Sequence, residues 1–176
     1  MSEEFDNNRM DEIGQKEDHE EQIELVRFKV GDEYFGLFIN DVQEISKVPH
    51  ITRLPKTPNY MLGVINVRGQ VIPVFDLRIR FNLDIDDYTF NDLTRVLIVE
   101  NENKKAGLIV SSISKVIRLP KNEYDASPDI SKKDKHEYVS GVAKAGDDLI
   151  LVLDVAAVLE EQDTDIFEML TFSVHR

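Results

Sequence analysis

Residues 60–77 read YMLGVINVRGQVIPVFDL, and residues 138–155 read YVSGVAKAGDDLILVLDV. Aligned without a gap, Tyr60 meets Tyr138, Gly63-Val64 meets Gly141-Val142, and Val74-Phe75-Asp76 meets Val152-Leu153-Asp154. Upstream, Gly36-Leu37-Phe38-Ile39 is echoed by Gly107-Leu108-Ile109-Val110, and each stretch later reaches Arg-Leu-Pro, at 53–55 and at 118–120. The chain reads as two copies of one small unit. Matching positions then share a structural job, and positions that differ are where function could have been added.

The texture of each copy is strand. Val26, Phe28 and Val30 alternate with Arg27 and Lys29, the period-2 pattern of a half-buried strand. Gly31-Asp32 is turn chemistry, and residues 34–39 return as the hairpin partner. Val64–Val67, the Arg68-Gly69 turn and Val71–Phe75 form a second hairpin; Pro73, lacking an N–H, predicts an edge or a bulge for its strand. The second copy opens at Arg95–Val99, turns at 101–105 and returns through Gly107–Val110. Residues 120–137 read as a long polar loop, and 141–153 as the last hairpin around Gly146-Asp147. Two sets of about five short strands predict an all-β fold of two small barrels.

Composition sets the bounds. A chain of 176 residues suits one compact domain or two small intimately packed ones, and 41% hydrophobic residues suffice for a core. No apolar run approaches the roughly 20 residues of a membrane span, and the acidic opening MSEEFDNN does not read as a signal peptide. Cysteine is absent, so disulfides and thiolate chemistry are excluded. Residues 1–24 hold ten acids against two bases within a total net charge of −13, the composition of a disordered tail over residues 1–22. Without basic clusters, nucleic acid is not an expected partner.

Catalytic patterns are weak. His19, His50, His136 and His175 stand at no metal-ligand spacing, and no Gly-rich phosphate loop occurs. Asp76 and Asp154, one per copy, could suggest an aspartic dyad. Each follows a strand and precedes a short helical run (Leu77–Phe81 and Val155–Glu161), so capping of exposed N–H groups is the better account. The copies differ where Asn66-Val67-Arg68-Gly69 meets Lys144-Ala145-Gly146-Asp147, and where Glu44 meets Lys115. Asn66 and Gly69 suit the turn. Arg68 either pairs with Glu44 inside the molecule or offers its planar five-donor fork to a partner. In the C-terminal extension, 162–176, a helix would align Ile166, Phe167, Met169 and Leu170, to dock on the core or to bind a partner.

The same residues carry a resemblance. Val42-Gln43-Glu44-Ile45, then Ile51-Thr52-Arg53-Leu54-Pro55, then Gly63–Gly69 and Ile72–Arg78 resemble the CheW family of chemotaxis coupling proteins, with Asn-Val-Arg-Gly standing for the familiar Asn-Leu-Arg-Gly. The likeness spans about Leu25 to Glu161. It implies two intertwined SH3-like five-stranded β-barrels with a short C-terminal helix, in a CheW-like domain over 23–161. The first barrel would cover roughly 34–83 and the second roughly 93–153, with strands exchanged between them.

The resemblance further implies a non-enzymatic adaptor without cofactor or metal. Such a protein binds the cytoplasmic tip of methyl-accepting receptors, in a groove near the junction of the barrels. It binds the regulatory domain of the histidine kinase CheA through barrel-end surfaces. It works in the cytoplasm, recruited to membrane-associated arrays without inserting into the membrane itself. Carried over by position, Val42, Glu44, Ile45 and Arg68 fall on the receptor side, and Ile130 on the kinase side. Two other classes remain: a coupling protein for a kinase outside chemotaxis, and an enzyme or small-ligand binder, for which the chain offers no convergent set of groups.

Overall fold

The computed structural model describes residues 21–83, 87–126 and 137–159. The acidic tail up to residue 20, Ile130 and the C-terminal extension lie outside them. The described chain is mostly strand: β1 (Gln22–Val30), β2 (Glu33–Phe38), β3 (Val42–Lys47), β4 (Met61–Val67), β5 (Gln70–Asp76), β6 (Arg95–Asn101), β7 (Lys104–Val110), β8 (Ser112–Pro120), β9 (Tyr124–Asp125), β10 (Val139–Ala145) and β11 (Asp148–Leu153). Two one-turn helices follow the repeated aspartates, α1 (Leu77–Arg80) and α2 (Val155–Val158).

Each sheet draws strands from both copies. One has the order β3-β6-β7-β5-β4, the other β8-β1-β2-β11-β10-β9. The opening hairpin of each copy therefore pairs within the other copy's sheet. Both exchanges use a parallel contact at a repeated glycine: Val74 is registered with Gly107, and Val152 with Gly36. A Cβ at Gly107 would stand 2.8 Å from a Val96 methyl, and at Gly36 3.0 Å from one of Ile150, so these positions admit no side chain without rearrangement.

Both sheets close on themselves by one device. After β3 the chain turns and Thr52 bridges Val64 on β4, with N–H···O distances of 2.9 and 2.8 Å. After β8 it turns and Tyr124-Asp125 pair with Ala143-Val142 on β10. Residues preceding these contacts are Gly63 and Gly141, where an added Cβ would lie 2.2 Å from the Thr52 carbonyl oxygen and 2.5 Å from that of Asp125. Gly63 also sits at φ 147°. Closure leaves two SH3-like barrels, here called first (β3–β7) and second (β1, β2, β8–β11).

Two sequence expectations are corrected. Of the two placements expected for the Pro73 strand, the edge does not hold, since β5 is flanked by β7 and β4; the β4–β5 register does shift close by, between Met61 and Gly63, next to the Val64–Pro73 pair. Both polar backbone groups of Val64 bond Thr52, so Val64–Pro73 is a non-hydrogen-bonded pair, and the ladder to β7 begins only at Val74. The missing N–H of Pro73 falls where no ladder bond is required. The polar stretch after Pro120 also contains a strand, the two-residue β9 that closes the second barrel.

The described residues form three apolar clusters. Ile65, Ile72 and Val74 with Val96, Ile98 and Ile109 fill the first barrel, and Leu25, Ala143, Ile150 and Val152 the second. A larger cluster containing Phe28, Phe35, Phe75, Leu97 and Leu108 joins the two. Half of the first barrel's buried side chains come from the exchanged β6–β7 hairpin. At about 1.5–3 kcal/mol for each buried aliphatic, their loss is comparable to a whole domain's stability of about 5–15 kcal/mol. The first barrel does not stand without the exchanged hairpin.

The closure geometry makes Gly63 the least replaceable glycine of the first barrel. Gly63→Ala should lower the unfolding free energy by about 2–4 kcal/mol, because a backbone carbonyl must move. Gly69→Ala, with nothing within 4 Å of its Cβ, should lower it by about 1–2 kcal/mol through its φ alone. Urea denaturation of both variants measures the difference; equal losses would remove the closure argument.

Candidate functional site

The first barrel has two open ends, set by the polarity of its strands. Glu44, Val67 and Gln70 mark one end; Val48, Leu62 and Asp76 mark the other. Along β4, Leu62 and Val67 are five residues apart, about 16 Å at strand rise.

At the first end, β4 and β5 are joined by a two-residue turn, Arg68-Gly69. Both residues have positive φ, 51° and 84°, the geometry of a type I′ hairpin. The Asn66 side-chain oxygen accepts from the Gly69 N–H at 2.9 Å and fixes the turn. In the second copy, Gly146 takes the position of Arg68 at φ 63°. A left-handed conformation costs an L-residue about 1–2 kcal/mol, and glycine adopts it freely. Copy two meets the positive φ of the first turn position with glycine, and its second turn residue, Asp147, is outside the positive-φ region; copy one places an arginine at the first position.

Among the described residues, only Glu44 pairs with Arg68, and weakly. Arg68 Nη2 stands 3.9 Å from Glu44 Oε2, with the two side chains 86% and 38% exposed. An exposed pair at that distance is worth about 0–1 kcal/mol. Strain and pairing roughly cancel, so stability does not account for Arg68; Glu102 and Asn103 take the same positive φ in the β6–β7 turn, and what sets Arg68 apart is a guanidinium exposed beside Glu44.

The matching end of the second barrel is filled. Strand registers equate Ile98 with Arg27, Lys105 with Tyr34 and Gln70 with Asp148. Arg27 lies 3.9 Å from the centre of the Tyr34 ring and 2.7 Å from Asp148. The first barrel has no such plug: Glu44, Arg68, Gln70 and Lys105 surround a cleft of about 330 Å³ floored by Ile72 and Ile98.

A bulge distributes the β3 residues. The β3–β6 register shifts between Val42 and Glu44, leaving Gln43 opposite no partner; its side chain donates to Glu100. Ser114 occupies the corresponding bulge against β1. The extra residue lets Val42 and Ile45, three apart, share a face. They oppose Val99 and Leu97 of the joining cluster, while Glu44 opposes Ile98 of the barrel interior. Val42 is half-buried and Ile45 is 40% exposed. Thus, of the four residues that the resemblance assigns to one site, Val42 and Ile45 share one face of β3, and Glu44 lies on the other, 3.9 Å from Arg68 in the β4–β5 turn. Ile130 is outside the described residues.

At the other end lies a larger groove, about 700 Å³, between Val48–Ile51 and Asp87–Phe90, with Leu62 and Ile79 at its base. Tyr88 and Phe90 are exposed at 40% and 44%. The Thr89 N–H donates to Asp87 Oδ1 at 2.8 Å, which holds the Asp87 carboxyl below the usual range. Nothing in the sequence of 87–90 marked this wall, because its supports are distant in the chain.

The repeated aspartates differ in setting. Asp154 accepts from the Ala156 and Ala157 N–H groups and is exposed. Asp76 accepts from the Arg78 N–H and forms a buried ion pair with the Arg78 guanidinium, 2.8 Å between Nη2 and Oδ2. Arg78 was not singled out by sequence reasoning, although Ala156 stands at its matching position. Among the described residues, no three His, Asp or Glu side chains are grouped to hold a metal ion, and no helix is long and apolar enough to cross a membrane.

If Arg68 is not a stability residue, Arg68→Gly should leave the unfolding free energy unchanged or raise it by up to about 1 kcal/mol. Urea titration decides. A loss above about 1 kcal/mol would assign Arg68 to holding the fold through Glu44.

Comparison with known proteins places this architecture. Residues 24–163 match the family described as the CheW-like domain. The chain is similar to the chemotaxis protein CheW of Helicobacter pylori, 34% identical over 146 residues (83% of this chain and 87% of that protein). It is 31% identical to the chemotaxis protein CheW of Bacillus subtilis over 140 residues, covering 80% and 88% of the two chains. The crystal structure of the scaffolding protein TtCheW from Thermoanaerobacter tengcongensis superposes with a TM-score of 0.73 at 36% identity, covering 80% of this chain and 94% of that one.

Proposed function

The chain belongs to the CheW-like family, and from that premise we propose that it is a non-enzymatic adaptor of chemotaxis. In this reading it couples the cytoplasmic tips of methyl-accepting receptors to the histidine kinase CheA. The observation that carries the reading is the asymmetry at Arg68. The chain accepts backbone strain to expose a guanidinium where its own second copy has glycine.

The two pairs around β3 form the receptor side. A receptor tip is a helical hairpin, and a helix docks by apolar anchors with charges setting its register. A helix laid along the free edge of β3 meets Ile45 and Val42 on one face and Glu44 and Arg68 on the other. Arg68 keeps most of its donors available because its contact with Glu44 is long.

The kinase side is the groove at the opposite end of the barrel. Its apolar base and the exposed rings of Tyr88 and Phe90 suit the end of another small barrel better than a charged helix. Opposite ends allow both partners to be held at once, which is what coupling requires. The protein contributes no chemistry of its own; it fixes the geometry in which receptor state reaches the kinase.

Reconstitution tests the reading. Adding the protein to a receptor fragment and CheA should change kinase phosphorylation. Arg68→Gly should weaken receptor binding by about 2 kcal/mol, roughly thirtyfold, and abolish the change. Glu44→Lys, which borrows the residue of copy two, should fold and also fail to couple. A wild-type protein without effect on phosphorylation removes the coupling assignment. A folded Arg68→Gly with unchanged receptor affinity removes the site.

A further inference from the structure

The wall of the groove at Asp87–Phe90 is a segment without strand or helix, and it is held chiefly by one buried side chain. Arg78 Nε donates to Asp76 Oδ1 at 3.0 Å and Nη2 to Asp76 Oδ2 at 2.8 Å. The same guanidinium donates to the carbonyl of Tyr88 at 2.7 Å and lies 3.4 Å from that of Thr89. Its Cζ is 5.6 Å from the ring centres of both Tyr88 and Phe90, so it is flanked by the two exposed aromatics. The Tyr88 hydroxyl donates to the Leu83 carbonyl at 2.7 Å, a second tether on the wall.

The repeat isolates what this arrangement adds. Both aspartates cap a one-turn helix, so capping does not need the arginine. At the matching position copy two has Ala156, and its Asp154 stays exposed, bonded to backbone N–H groups. In copy one the cap is buried to 1% exposure with its charge neutralised by Arg78, itself 5% exposed. A buried ion pair is at best weakly stabilising relative to apolar residues. Its retention beside an open groove therefore asks for another role, and the carbonyls of Tyr88 and Thr89 supply it.

We infer that Arg78 is a positioning residue that clamps 87–90 upright as the groove wall, and so sets the affinity for the partner that fills the groove. The inference rests on the reading of the groove as the kinase side. A planar fork is required: one face of the guanidinium's donor set saturates Asp76 while the remaining donors reach outward to the wall. An ammonium neutralises Asp76 but cannot span both. Since the groove and Arg68 lie at opposite ends of the barrel, the clamp acts on one partner and not on the other.

The experiment uses the full chain and two probes, the regulatory domain of CheA and a receptor hairpin fragment. Arg78→Lys should reduce affinity for the kinase domain at least tenfold, leave receptor affinity unchanged, and speed hydrogen exchange at the amides of Tyr88, Thr89 and Phe90. Should Arg78→Lys not fold, Asp76→Asn combined with Arg78→Gln retains a cap, leaves no buried charge, and should give the same selective loss. Unchanged exchange at 88–90 overturns the clamp. Faster exchange with unchanged kinase affinity overturns its effect on binding. A Tyr88→Ala/Phe90→Ala variant, which leaves the buried pair intact, separates the premise: if it binds the kinase domain like wild type, the groove is not the kinase side, and exchange alone then decides whether Arg78 holds the wall.

Discussion

Two backbone crossings govern this molecule. At Gly63 and at Gly141 a carbonyl oxygen from the segment that closes the barrel occupies the space of a missing Cβ, 2.2 and 2.5 Å away. A side chain at either place would hold the closing segment off the sheet and leave an edge strand unpaired, with its row of polar groups unsatisfied. Each closure follows the same path: an edge strand, a turn, and a short bridge onto the far edge, at Thr52 or at Tyr124-Asp125. The Gly-Val pair is thus repeated in the sequence because one steric condition is met twice.

The exchange of hairpins makes the two closures one fold. Each barrel interior is completed by strands from the other copy, and a common apolar cluster lies between them. The joint is asymmetric in detail. Arg80 of α1 lies 4.0 Å from the ring of Tyr60 and 5.4 Å from that of Tyr138, the two matched tyrosines, and donates to the Val158 carbonyl of α2 at 3.2 Å. With the architecture over-determined in this way, the barrel ends are free to diverge. One end of the second barrel is plugged by Arg27, Tyr34 and Asp148, whereas the matching end of the first is a cleft beneath Arg68.

Much of the frame was legible because the copies could be compared. Alignment of the repeats equated Arg68 with Gly146 and Glu44 with Lys115, and the bulges at Gln43 and Ser114 and the left-handed turns make the same equations in three dimensions. Local rules failed where the deciding partner is remote. Pro73 suggests an edge or a bulge; its strand is interior, beside a register shift of β4, and tolerates the proline because Thr52 takes the hydrogen bonds of the residue opposite. Tyr124-Asp125 is too short to show strand periodicity and pairs only through its contact with β10. Nor does the local sequence show the bulge at Gln43, which sets Val42 and Ile45 opposite Val99 and Leu97 and Glu44 opposite Ile98. Arg78 follows Asp76 in a short helical run that gives no local sign of burial; its partners include the carbonyls of a segment some ten positions later.

The central claim is that the repeat builds the fold and its imperfection in the first copy carries recognition. Hydrogen exchange of the full chain, with and without a receptor hairpin fragment, tests it most directly. The account predicts new protection in 42–47 and 66–70, with no change at the matching positions 113–118 and 144–148. Protection confined to 113–118 and 144–148, or shared equally by both sets, would contradict it.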